Sequence, residues 1–285
     1  MELDADILSF KTCKGGLYLA HEHEAGEADD ALIDIVAVHG LNGHCVRTWS
    51  RQNDPKSKNP ITFWLRDLLP EKMPGARILT FQYESKVLFN RSIGGLSDVA
   101  GQLLSKLQAE RGDGARHRPI VFLAHSLGGI VVKRALILAN EKHNDTSHDI
   151  VDATRGIVFF GTPHRGSDVA DSLAPLHKIT SIGWRKLKLF STLKMHSEGL
   201  LDVSDEFRYI AHRYALITFY EQHIHPMLRD PIVTKTSAIM GIAHEDIMML
   251  GGNHSSMCKF AEKDPRFEAV SRSIQSAAKG PPSRR

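Results

Sequence analysis

Ile120-Val-Phe-Leu-Ala-His-Ser-Leu-Gly-Gly129 runs from an apolar, β-branched segment directly into a small–x–Ser–x–Gly turn, and an apolar helix-forming stretch follows at once. This order predicts a buried strand over Ile120–Ala124, a turn at Ser126 and a helix over Leu127–Asn140. A turn this tight brings the backbone on both sides of the serine against its neighbours. The positions two before and two after it must therefore be small, and Ala124 and Gly128 satisfy that. The serine hydroxyl is lifted clear of the sheet over the N-terminus of the next helix. That helix end offers a backbone N–H and a positive dipole to an oxyanion.

Outward from this stretch, other short segments read as buried parallel strands: Ile33–Val38, Arg77–Tyr83, Gly156–Phe160 and Ala215–Tyr220. Ile232–Ile239 alternates more and reads as an edge strand, and Leu17–Ala20 is expected to pair antiparallel at the other edge. Ser97–Glu110 carries Val99, Leu103, Leu104 and Leu107 at helical spacing, with Ser97 and Asp98 as the N-cap region and Gly112 as the stop. Strands alternating with helices predict an α/β architecture, with a mostly parallel sheet and helices on both faces.

Asn53–Pro60 is polar and reads as a surface loop. The long interval from Gly166 to Arg213 is rich in Leu and contains Trp184, so a structureless loop is not expected there. It reads as a helical cap over residues 167–213, inserted in a single domain spanning 1–285. A small, basic, disordered tail is expected over 277–285.

Bulk composition narrows the function classes. Of 285 residues, 42% are hydrophobic and 24% charged, which is globular composition. A formal net charge of +3 gives no reason to expect nucleic acid as a partner. Cys13, Cys45 and Cys258 are odd in number and widely spaced, which argues against a disulfide framework or a structural zinc site. Ile120–Ala139 has the length of a membrane helix, but His125, Ser126, Lys133 and Arg134 interrupt it, so no transmembrane span is expected. Met1–Phe10 is acidic and lacks a signal pattern, so the expected location is cytoplasmic.

An activated serine needs a base, and the base needs an acid to orient it. In a fold with this elbow they follow in the order Ser, acid, His. Among sixteen histidines, His254 stands out because Gly251-Gly-Asn-His-Ser-Ser256 is a loop of small residues beyond the expected last strand. His244 beside Glu245 and Asp246 reads as a solvated turn. Ala215-Leu-Ile-Thr-Phe-Tyr-Glu221 ends in a carboxylate where the acid belongs, with Glu245 and Asp246 as the alternatives. The loop His39-Gly-Leu-Asn-Gly-His44 after an upstream strand is expected to supply a second oxyanion donor. The pair of donors is then Leu41 N–H and Leu127 N–H. Gly40, His125, His164 and Trp184 are candidate substrate contacts. His21-Glu-His23 and His223-Ile-His225 lack a third ligand at sensible spacing, and no phosphate-binding Gly-Lys-Ser/Thr loop exists. No cofactor is expected.

Val38-His-Gly-Leu-Asn-Gly43 with Thr48-Trp49, Ala124-His-Ser-Leu-Gly-Gly129, Phe159-Phe-Gly-Thr-Pro-His164 with Gly166-Ser167, and Asn253-His-Ser-Ser256 together resemble a serine esterase, lipase-like family of the α/β-hydrolase fold. That family includes the serine-active-site-containing proteins and fungal lipase-like members, and is similar to the GPI inositol-deacylases. The resemblance covers roughly residues 30 to 262 and implies ester hydrolysis, often of a lipid-related substrate. It also implies Ser126 as nucleophile, His254 as base and Glu221 as acid. No NTPase or repeat pattern accompanies it, so a free-standing hydrolase is expected. An apolar acyl, lipid or polyketide-like small molecule is the expected partner. A biosynthetic enzyme using the same triad for cyclisation or C–C cleavage, or a silent binding module, are the alternatives.

Overall fold

The computed structural model of the chain describes residues 16–22, 33–54, 56–57, 59–85, 94–112, 114–142, 147–165 and 197–281. Its strands are β1 (Leu17–His21), β2 (Ile33–Val38), β3 (Ser50–Gln52), β4 (Ile61–Phe63), β5 (Ala76–Phe81), β6 (Ile120–His125), β7 (Thr154–Phe160), β8 (Ala215–Glu221) and β9 (Glu245–Leu250). Its helices are α1 (Trp64–Asp67), α2 (Leu69–Lys72), α3 (Gly94–Arg111), α4 (Gly128–Glu141), α5 (His148–Ala153), α6 (Ser197–Ala211), α7 (Lys235–Ala238) and α8 (Pro265–Ala278).

Seven of these strands form one sheet in the order β1-β5-β2-β6-β7-β8-β9. Only β1 pairs antiparallel, against β5, as its edge position in the sequence suggested; the remaining pairings are parallel. β3 and β4 make a separate two-stranded ribbon around the polar Asn53–Pro60 loop.

Continuous apolar runs follow from burial on both faces of a parallel sheet. On β6, Phe122 and Ala124 face one core with α3, α4 and α6, whereas Val121 and Leu123 face the other with α8 and Trp64. The two cores sandwich the sheet. α8 seats on β7 at Gly156, where an added Cβ would lie 2.7 Å from the Ala277 carbonyl oxygen.

At the strand N-termini, Asp34 is fully buried beneath three arginines. Arg77 Nε reaches Asp34 Oδ1 at 2.8 Å and Arg118 Nη1 reaches it at 3.3 Å, while Arg111 Nη1 bonds Oδ2. Burial lowers the Arg111 pKa, and Asp34 opposes that shift.

Three expectations need correction. Ile232–Ile239 is not a strand: Thr234 caps the short α7, its Oγ1 accepting the Ser237 N–H at 3.2 Å, and the edge strand is β9. Ile232 and Val233 are buried in the core shared with α4 and α6 rather than paired in the sheet. α3 begins at Gly94, so Ser97 lies inside it, where its hydroxyl accepts from Arg134 Nε at 3.1 Å; Gly112, at φ +47°, does end it. The helix α8 continues through Ala277 and Ala278, with Ala277 fully buried, so the expected tail starts too early; residues 282–285 lie outside the described ones.

Of the expected cap, residues 167–196 with Trp184 lie outside the described residues. Its later part contains α6, which packs on α4. Lys133 Nζ donates to Ser204 Oγ at 3.2 Å, and Arg134 Nη1 reaches Glu206 at 3.1 Å. No helix among the described residues is long and apolar enough to cross a membrane.

Candidate active site

Ser126 sits between β6 and α4 with φ +54°, in the left-handed region that a non-glycine residue rarely adopts. Strain of this kind costs about 1–3 kcal/mol and persists only where the surroundings over-determine it. They do so here. The Ser126 N–H donates to the Phe160 carbonyl at 2.9 Å, and the Ser126 carbonyl accepts from Thr162 Oγ1 at 3.0 Å and from the Gly129 N–H at 3.1 Å. Thr162 is a site residue that only the block Gly161-Thr-Pro-His164 hinted at in sequence.

The expected demand for small residues is met by contact. A Cβ on Gly128 would lie 2.3 Å from the Val38 carbonyl oxygen, and Ala124 is fully buried between β2 and β7. A Cβ on Gly40 would lie 2.6 Å from Ser126 Cβ and 3.2 Å from its Oγ, so the His39–His44 loop passes directly over the serine. Gly43 N–H closes that loop onto the Gly40 carbonyl at 3.0 Å. Among the described residues, neither the Leu41 nor the Leu127 N–H donates a hydrogen bond within the chain.

Three residues that sequence reasoning did not single out hold this loop. His39 is buried, and its Nδ1–H donates to the Gly40 carbonyl at 2.9 Å while Nε2 accepts the Tyr83 N–H at 3.5 Å. Burial pushes the His39 pKa down to about 4, with the Gly40 bond opposing it, so the ring is neutral near pH 7. Tyr83 stacks on it at 4.5 Å and donates its hydroxyl to the His39 carbonyl at 2.8 Å. Ser85 Oγ accepts the Asn42 N–H at 2.9 Å, fixing a residue whose φ is +52°.

His254 follows β9 and Glu221 ends β8, so both lie at the carboxyl edge of the sheet, with β8 beside β7 and β9 beyond it. Glu221 Oε2 accepts the His254 N–H at 2.9 Å, and Oε1 lies 3.7 Å from His254 Nδ1. Oε1 also accepts the Val233 N–H at 2.8 Å. The His254 ring abuts the turn at Gly161, where a Cβ would stand 3.0 Å from Nδ1. Ser126 Oγ and both ring nitrogens of His254 are buried and make no hydrogen bond among the described residues. Catalytic hydrogen bonds often tighten only when substrate arrives.

Glu245, the alternative acid, lies opposite Leu216 at the start of β8, whereas Glu221 is five residues further along. At about 3.3 Å per residue that separates the two by roughly 16 Å. Glu245 is engaged there by Thr218 Oγ1 at 2.7 Å and by the N–H groups of Met240 and Gly241 at 3.0 and 2.8 Å. Asp246 is exposed on β9, and His244 precedes that strand, its Nε2 bonding the Ala211 carbonyl at 3.1 Å.

His125 turns toward the base rather than outward: its Nε2–H donates to the His254 carbonyl at 2.9 Å. His164 is buried instead of lining an open cleft. Its ring stands edge-on to Phe159 at 4.6 Å, neither ring nitrogen is bonded, and burial holds its pKa well below the ordinary value. Among the described residues, no group of three His, Cys, Asp or Glu side chains gathers to hold a metal.

The arrangement as a whole can serve acyl transfer: a strained serine, an imidazole backed by a carboxylate, and two unengaged amides beside it. The family model described as "Putative serine esterase (DUF676)" matches residues 32–209. Protein SERAC1 of Homo sapiens is 28% identical over 276 residues, covering 87% of this chain and 39% of that protein. Protein SERAC1 of Danio rerio is 28% identical over 288 residues, covering 92% and 41%. The chain thus spans about two fifths of the length of these curated relatives. Among solved structures, a lipase-esterase related protein from Clostridium acetobutylicum aligns with a TM-score of 0.51 at 10% identity, covering 92% of this chain and 100% of the other. A carboxylesterase of Nitrososphaera gargenis aligns at 0.50 with 11% identity, covering 95% and 98%. At such identities the likeness concerns the fold, which is the α/β-hydrolase fold.

Proposed function

This chain belongs to the serine esterase family matched over residues 32–209, and from that premise we propose that it cleaves an ester, thioester or lactone of an apolar acyl substrate through an acyl-enzyme on Ser126. His254 Nε2 takes the hydroxyl proton as Ser126 Oγ attacks the acyl carbonyl carbon. The carbonyl oxygen becomes an oxyanion that the Leu41 and Leu127 N–H groups hold. Collapse of this intermediate breaks the bond to the leaving group, which departs with the proton from His254. Water, deprotonated by the same ring, then releases the acid and restores Ser126. Glu221 keeps the proton of neutral His254 on Nδ1, which leaves Nε2 free to accept, and stabilises the imidazolium. The route uses protein groups and water alone.

The observation that carries this reading is the left-handed Ser126, pinned at the head of α4 with Gly40 packed against its side chain. No packing demand of an ordinary β–α turn requires that geometry. Preference for an apolar acyl group is supported by the leucine-rich composition of residues 167–213 and its Trp184.

The test is p-nitrophenyl ester turnover and fluorophosphonate labelling of the wild type against Ser126→Ala. The variant is expected to lose labelling and at least about 10³-fold in kcat, with its unfolding transition retained. A wild-type chain that neither turns over nor labels, or an alanine variant that still turns over, sinks the assignment.

A further inference from the structure

His254 is held by its backbone on two sides. Glu221 takes its N–H, and His125, the residue before the nucleophile, donates to its carbonyl. A carbonyl only accepts, so Nε2 of His125 must carry the hydrogen. The two imidazoles lie 5.0 Å apart between centroids, tilted by 45°. The remaining ties of the loop are internal or reach β8 and α8, where Arg266 Nη1 donates to the Gly251 carbonyl at 2.5 Å. Asn253 Oδ1 caps the Ser255 and Ser256 N–H groups at 3.1 and 3.2 Å, and the Gly252 carbonyl accepts from Gln222 and His223. None of these ties reaches β6. Among the described residues, the His125 bond alone ties the loop of the base to β6, the strand that leads into the nucleophile.

We propose that His125 is a positioning residue: its Nε2–H···O=C bond to His254 locks the base to the strand carrying Ser126, so that nucleophile and imidazole keep one geometry through both half-reactions. The inference rests on the proposed serine hydrolase reading. The chemistry of the clamp fits the place. A donor is needed, because its target is a carbonyl, and it must be neutral, because a cation 5 Å from the base would oppose the imidazolium that forms in catalysis. Lysine or arginine would supply the hydrogen bond at that cost. Imidazole avoids it: burial, with the neighbouring His254 adding to the effect, holds the His125 pKa down to about 3. A hydrophobic residue would fill the space and leave the loop untied.

The experiment compares His125→Leu with His125→Gln, whose amide N–H can replace the lost donor. A misplacement of about 1 Å costs roughly 10²-fold in rate, so His125→Leu is expected to lose about that factor in kcat with KM within about twofold. The rate of fluorophosphonate labelling falls in step, while its end point stays at one probe per chain. His125→Gln should recover most of the loss. In hydrogen exchange followed by mass spectrometry, residues 251–257 should exchange faster in the leucine variant and not in the glutamine one.

A leucine variant with wild-type kcat overturns the proposal. So does a glutamine variant no better than leucine, or a loss that falls entirely on KM, which would make His125 a substrate contact. If the wild type is itself inert, the hydrolase reading fails. The exchange arm then decides the clamp separately: unchanged exchange in the leucine variant refutes it, and faster exchange restored by glutamine supports it.

Discussion

Glu221 accepts the His254 backbone N–H through Oε2 at 2.9 Å, and its Oε1 stands 3.7 Å from the Nδ1 of the same residue. One carboxylate thereby fixes where the loop lies and, in the proposed mechanism, holds the ring proton on Nδ1. Replacing Glu221 by Gln keeps the size but removes the charge that favours the imidazolium. Loss of about 10²- to 10⁴-fold in kcat is expected. Glu245→Gln is the control: its partners are Thr218 and two α7–β9 amides, so the unfolding midpoint should drop while activity per labelled chain persists. A larger kcat effect at Glu245 than at Glu221 would reverse the assignment.

Gly40 leaves no room for a side chain. An alanine methyl would sit 2.6 Å from Ser126 Cβ and 2.8 Å from the His125 carbonyl oxygen, both on a backbone that cannot yield without moving the elbow. Gly40→Ala should push the Leu41 N–H out of position. Removal of one oxyanion donor costs about 10²- to 10³-fold in kcat, and a loss of that order is expected at comparable folded content. Stopped turnover with normal circular dichroism would agree; normal turnover would place the second donor elsewhere.

Asp34 holds Arg111 at the far end of the sheet, some distance from any chemistry, with Arg77 and Arg118 completing the cluster. Arg111 is 5% exposed, so removing its carboxylate strands a buried cation. Asp34→Ala should cost about 3 kcal/mol or more in chemical denaturation. Esterase turnover of the remaining folded fraction should be unchanged.

The buried histidines make stability pH-dependent. Burial lowers the pKa of His39 to about 4 and of His125 to about 3, from 6.5, and depresses His164 in the same direction. Below pH 6.5 the unfolded chain takes up protons that the folded chain refuses, so stability falls as pH falls. Each such histidine contributes up to about 1.4 kcal/mol per pH unit in the window between its folded and unfolded values. The unfolding midpoint should decline steeply from pH 6.5 toward pH 4. His39→Gln should flatten that slope, since its amide stays neutral; a midpoint independent of pH across that window would refute the protonation argument.

Much of the site announces itself along the chain because backbone crowding selects residues locally. Ala124, Gly128 and Gly40 are small where main chains nearly touch, and strands buried on both faces write themselves as Val, Ile and Phe. The same logic misleads at Ile232–Ile239, where Ile232 and Val233 are buried in the core just ahead of a capped helical turn. It also fails to reveal β9, because Glu245 and Asp246 at its start read as a solvated turn and leave only the short apolar run Ile247–Leu250.

The amino-acid order alone determined the strand–elbow–helix unit, the serine upon it and the loop that crosses it, since each depends on contacts between residues close in the chain or on steric demands that admit few side chains. Which carboxylate lies beside His254, and that His125, Tyr83, Ser85 and Thr162 hydrogen-bond to the loops around Ser126 and His254, is seen only in the tertiary structure. Those partners are brought together by strand order and register across β5, β2, β6, β7, β8 and β9, and a hydrogen bond between residues 33 or 129 positions apart leaves no local pattern to read.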